Sequence, residues 1–226
     1  MDLVIDLAQA VAIISACFAV ISGIGAWKRE FIGKRQIELA EDVLTRFFEV
    51  RDAVAFIRNP FARVSEGESR QEESHESSDE AQLLNRAYIV FERYSKKEVV
   101  FNSFRALKYR FMATFGASNE KIFAGVEEQL ATIFTAAQLL GTHYWKRQGR
   151  VHMEPEEFQV HLKEMREHED VFWEQGKNDD PIRVGLSKLQ SQLEVVLTPC
   201  FSEPMQSYNI LTFSFWRTGF AQIRNG

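Results

Sequence analysis

From Leu7 to Trp27 the chain runs without a formal charge and is rich in Ala, Val, Ile and Phe. At about 1.5 Å of rise per residue, such a stretch crosses a hydrocarbon core of roughly 30 Å. A buried helix of a small soluble domain normally meets water on one side, and the matching polar stripe is missing here. The pattern predicts a transmembrane span, with residues 1–27 as an anchor. A cleaved signal peptide wants a basic start and a shorter apolar run, whereas Asp2 and Asp6 precede this one and no Lys or Arg does.

Beyond the span, apolar residues recur every three, four or seven positions. Ile37, Ala40, Leu44, Phe47, Val54 and Ile57 mark a helix that Asn59-Pro60 stops, because proline pushes its predecessor out of the α region. This helix continues the span as a stalk, with Gly33 as the place for a bend. Leu84, Ala87, Phe91, Val100, Phe104, Leu107, Phe111 and Phe115 predict a second helix ended by Gly116. Phe123, Val126, Leu130, Ile133, Ala137, Leu140 and Tyr144 predict a third, regular enough to sit centrally in a bundle. Residues 154–175 form an acidic helix opened by Pro155, and Ile182, Leu186, Leu189, Leu193, Val196 and Cys200 form another. Phe213, Trp216, Phe220 and Ile223 suggest a last one, packed on the bundle or lying on a membrane surface. The expected fold is all-α: one N-terminal transmembrane helix followed by a cytoplasmic bundle of about five helices, spanning 28–226. Within it, the acidic "RVSEGESRQEESHESSDE" region, 62–80, has little to bury and reads as a disordered loop, and 149–180 reads as an acidic helical insertion.

Charge sets the orientation. Lys28, Arg29, Lys34 and Arg35 follow the span and nothing positive precedes it, so the positive-inside bias leaves the N-terminus outside and the C-terminal domain in the cytoplasm, at an inner (plasma) membrane. Only Cys17 and Cys200 are present, which fits a reducing compartment. One side of the span is uniformly small: Ala8, Ala12, Ser15, Ala19, Ser22 and Ala26 alternate at four and three. Such a seam lets helix backbones approach closely in lipid, and it points to a homo-oligomer formed through the transmembrane helix.

Candidate chemistry is sparse. Arg147 and His152 in "RQGRVH" stand in an Arg-x4-His arrangement, which resembles the active-site motif of the HEPN ribonuclease superfamily. That resemblance implies a helical domain that dimerises so that two motifs form one RNA-cutting site. Gly149 inside the motif departs from the helical pattern, and "RQEESH" repeats the spacing at Arg70 and His75. Glu157, His161, Glu164 and His168 are spaced 4, 3, 4 on one helix face and are ligand types for zinc or iron, although one helix cannot surround a metal. Arg86, Arg93, Lys96, Lys97, Arg105, Lys108 and Arg110 make the second helix basic. Pairing with the acidic helix at 154–175 is the expected use of that charge, ahead of lipid or nucleic acid. No cofactor is called for. The sequence reads as a membrane-anchored interaction or scaffold protein with lipid, a second copy and an unknown protein as partners, and a HEPN-like nuclease as the alternative.

Overall fold

The computed structural model describes residues 2–63 and 65–202, with side chains 2–8, 19, 22, 26 and 202 left aside. The described residues are helical, with no strand and five helices. These are α1 (Asp2–Ile57), α2 (Ser78–Phe115), α3 (Glu120–Leu139, running on through a π-helical turn Leu140–Tyr144 to Trp145–Arg147), α4 (Pro155–Phe172) and α5 (Pro181–Ser202). The last expected helix, at Phe213–Ile223, lies outside the described residues.

α1 continues unbroken through Gly33. Its two halves meet different surroundings. Leu39, Ala40, Val43, Phe47, Val50, Val54 and Ile57 are buried among α2 and α5, at helical spacing. Upstream, the most apolar window has a mean hydropathy of 2.1 and none of it is buried. Among the described residues α1 is the one helix long and apolar enough to cross a membrane.

α2 folds back along α1. Ser77 caps its start by accepting the Glu80 amide at 3.2 Å. Gly116, at φ +103°, ends it and lets the chain turn into α3. α3 packs against α2, α4 and α5, and all seven of its expected core positions are buried. Aromatic rings link the layers: Phe47 meets Phe104 edge-on at 6.0 Å, and Phe104 stacks on Phe123 at 4.6 Å. Where α3 crosses α5, Gly125 faces Leu189 and Gly185 faces Gln129, and a Cβ on either glycine would stand 2.5 Å from its neighbour.

Two buried arginines hold the helix ends. Arg93 of α2 donates to the carbonyls of Ile57 (3.2 Å), Asn59 (2.5 Å) and Phe61 (3.1 Å), and to Glu66 Oε2 (2.6 Å). It therefore closes the end of α1, whose last carbonyls have no partner within the helix. Arg58, just past α1, reaches the other way. It grips both Asp180 oxygens (2.8 and 2.7 Å) and donates to the carbonyls of Asp170, Val171 and Trp173 at the end of α4. Asp180 also accepts the Arg183 amide at 2.9 Å, so one carboxylate starts α5 and neutralises Arg58.

Two regions depart from their composition. Within the stretch expected to be a disordered acidic loop, 62–80, residues 65–77 run through turns along α2. Glu92 accepts the Gly67 amide and the Ser69 hydroxyl at 2.8 Å each, and Arg70 pairs with Glu76 and bonds Asn85. Gly67, at φ +92°, lies so close to the Asn85 carbonyl that a Cβ would collide with it. The charges there meet long-range partners instead of only repelling one another. The second region, the acidic insertion at 149–180, contains α4, which buries Met165 and Phe172 in the common core and is tied down through Arg58. It is part of the bundle. Basic α2 does not lie against this acidic helix: Arg105 and Lys108 pair with Glu127 and Glu120 of α3, while Arg86 covers the Trp145 ring and Lys97 the Phe56 ring.

Removing one partner of a buried, fully bonded ion pair strands the other charge. Arg58→Met and Asp180→Asn are each expected to lower unfolding free energy by about 3–5 kcal/mol, and the double variant to lose less than the sum of the two. Chemical denaturation of the three variants checks this.

Acid should loosen the same structure. Burial raises the Asp180 carboxyl, but the bonds from Arg58 and the Arg183 amide outweigh it and leave the pKa lowered. Glu66 is lowered by its bond to Arg93. Glu92 falls from 4.5 to about 2, chiefly through its bond to Lys96 and then through the Gly67 amide. Each folded value lies below its unfolded one, so the stabilisation is complete above the unfolded range and drains as pH falls toward the folded values. Melting temperature should decline below pH 4.5, and Glu92→Gln should flatten that decline.

Candidate functional site

The densest cluster of chemistry-bearing side chains sits where α3 passes through its π-helical turn beside α4. π-turns concentrate at functional sites because the extra residue re-aims the side chains that follow. Here the turn allows the consecutive rings of Tyr144 and Trp145 both to be buried. Gly141, inside the turn, lies against Ala87 of α2, leaving no room for a larger residue.

Tyr144 is the hub. Its ring lies 5.5 Å from His161 and 5.0 Å from His168, both on α4, and its hydroxyl donates to Glu164 Oε2 at 3.2 Å. Burial, and then this bond to a carboxylate, raise its pKa above the ordinary phenol value. Trp145 donates its indole N–H to Glu169 at 2.8 Å. Arg147 donates to Glu157 at 3.0 Å and lies 3.4 Å from His143 Nε2.

The four residues Glu157, His161, Glu164 and His168 thus share one side of α4, as their spacing predicts, but they do not converge. Glu157 is taken by Arg147, Glu164 by Tyr144, and His168 lies against a ring. His161 is buried, with no hydrogen-bond partner for Nε2. Among the described residues no group of three His, Cys, Asp or Glu is placed to hold a metal ion.

Arg147 and His152 are each engaged elsewhere, with Glu157 and Glu154. The helix stops at Arg147, Gly149 takes φ +72°, and His152 stands 92% exposed near Glu154. Two surface clefts lie elsewhere. One of about 450 Å³ between α1 and α5 has Arg58, Glu174 and Arg183 among its lining residues. The other, of about 700 Å³, runs between the 60–68 turns and α2, with Arg63, Asn85 and Arg86 on its walls.

On α1, Lys28, Arg29, Lys34 and Arg35 are exposed, immediately after the apolar stretch. Of the small-residue seam, Ala12 and Ser15 are exposed, and Ser15 returns its hydroxyl to the Val11 carbonyl at 2.8 Å. The side chains of Ala8, Ala19, Ser22 and Ala26 lie outside the described residues. Sequence reasoning missed Arg58 and Asp180, and took the buried Arg93 for one of a basic series. The Asp-Pro start of α5 and the arginine before Asn-Pro were the available signals.

The fold and its surface define an all-helical bundle carried on a long apolar helix. No family model matches the chain, and comparison with curated proteins and with solved structures likewise finds no match.

A buried imidazole nitrogen without a partner costs stability, and an apolar side chain of similar size removes that cost. His161→Leu is expected to leave the melting temperature unchanged or raise it, with zinc and EDTA having no effect on either form. A loss of more than about 2 kcal/mol, or a zinc-induced shift abolished by the variant, would show that His161 serves a ligand.

Proposed function

We propose that the protein is a single-pass, membrane-anchored scaffold that holds itself or a protein partner at the inner face of a plasma membrane, without catalysing a reaction. One observation carries this reading. Val11, Ile13, Ile14, Phe18, Val20, Ile21, Ile24 and Trp27 are 57–72% exposed on a helix whose other half is packed into the core. Water does not tolerate so long an apolar cylinder, whereas a bilayer does. The cations after Trp27 favour the orientation with the bundle in the cytoplasm, and the small-residue seam supports self-association in the membrane. Arg147 is ion-paired with Glu157 and His152 is exposed beside Glu154, which gives the ribonuclease reading no support.

The full-length chain is expected to stay in the membrane pellet after alkaline carbonate extraction, with its bundle protected from protease added outside intact cells. Recovery in the supernatant overturns the reading. In a membrane association reporter, Ser15→Leu and Ala19→Leu should weaken self-association of the span. An unchanged signal removes the seam from the account.

A further inference from the structure

We infer that the cleft between the 60–68 turns and α2 is a ligand site that takes a nucleoside monophosphate. Its place follows from register. Arg93 meets the Ile57 carbonyl, and Phe47 meets Phe104, so α2 runs antiparallel to α1 and its residues 82–89 lie beyond the end of α1. The chain leaving α1 passes over this part of α2, and Trp173, at the end of α4, joins the two around a space of about 700 Å³. Sites for small molecules have this size. The surroundings are set before any ligand arrives. Arg93 holds Glu66 at 2.6 Å, Glu92 accepts the Gly67 amide at 2.8 Å, and Gly67 sits against the Asn85 carbonyl at φ +92°. Binding therefore has no loop to order first.

The polar groups of the lining are unequally satisfied. Glu66 is taken by Arg93, and Asn85 by Arg70 and Glu72. Asp79 and Glu80, in the first turn of α2, pair with Arg150 and Lys146. Arg63 and Arg86 are exposed, and neither guanidinium meets a carboxylate among the described residues; Arg86 rests on the Trp145 ring, 4.5 Å from its centroid. Glu68 is the one lining carboxylate without a cation among the described residues. Donors are in excess, which calls for an acceptor-rich ligand, and guanidinium forks match phosphate oxygens in pairs. A phosphate monoester carries about two negative charges, the number the two arginines offer to meet. Glu68 repels a bare anion, but Glu68 and Gln82, both exposed and unbonded, accept from sugar hydroxyls or a ring amino group. Pro60, Ile89 and the Trp173 ring supply apolar surface for a flat base. The cleft lies at the opposite end of α1 from the apolar stretch, so the inference stands apart from the reading of α1 as a span.

The test is equilibrium dialysis of the full chain, in detergent micelles, against radiolabelled AMP, GMP, CMP and UMP. Saturable binding at one site is expected for at least one of the four, with its nucleoside and inorganic phosphate each competing about tenfold or more less well. Arg63→Gln and Arg86→Gln should each weaken binding about tenfold. Glu68→Gln should weaken the nucleotide and strengthen inorganic phosphate, a split that a merely structural role would not produce. Arg63→Gln should keep its melting temperature, because the side chain makes no hydrogen bond or ion pair among the described residues. No saturation by any of the four up to millimolar concentration overturns the inference. Binding indifferent to Arg63→Gln and Arg86→Gln overturns it as well, and so does inorganic phosphate competing as well as the nucleotide.

Discussion

A guanidinium buried beneath three helix ends is the constraint on which this structure turns. Arg58 is 2% exposed, and taking its charge out of water costs several kcal/mol unless each donor finds an acceptor. Asp180 and three backbone carbonyls supply them. The same contact closes α4, opens α5 and fixes the place where α1 stops. Arg93, equally buried, completes the junction from the α2 side by taking the carbonyls that α1 leaves open. Arginine suits both positions because its planar fork serves a carboxylate and several carbonyls at once, which a lysine ammonium cannot do.

The junction has a mechanical consequence. α1 is one helix from the apolar stretch to Ile57, and its far end is clamped by both arginines, so the bundle is joined rigidly to whatever the apolar half occupies. Charge is sorted along that axis. Far from the apolar stretch, many basic residues are consumed by carboxylates or covered by rings. Near it Lys28, Arg29 and Lys34 are exposed and make no ion pair among the described residues. Both properties are what the proposed scaffold reading calls for. The Tyr144 cluster fits this picture as well, since its carboxylates and histidines are turned on one another and on α3.

The fold was largely legible from periodicity, because burial in a helical bundle repeats at three and four. All seven positions named from Phe123 to Tyr144 are buried, and Ala136 and Gly141 join them. Long-range polar contacts have no such period. Arg58 beside Asn-Pro looks like a surface cation, Arg93 looks like one of a basic series, and their acceptors include backbone carbonyls that carry no sequence signature. The contacts of the acidic loop have no period either: its partners Glu92, Asn85 and Arg93 are all on a helix some way along the chain. The Glu157 to His168 spacing correctly placed four residues on one face. It could not show that Tyr144 and Arg147 would occupy two of them.

In the proposed arrangement α1 passes from lipid to protein contact along its length. Spin labels placed singly from residue 11 to residue 57 in the full chain, reconstituted in vesicles, read this directly through their accessibility to oxygen and to a water-soluble paramagnetic reagent. Oxygen accessibility should peak between Val11 and Ile24 on every side of the helix. The water-soluble reagent should dominate at Lys28–Arg35, and both should oscillate with helical period beyond Leu39. High access of the water-soluble reagent at Phe18 and Ile21, or a one-sided oscillation there, would contradict it.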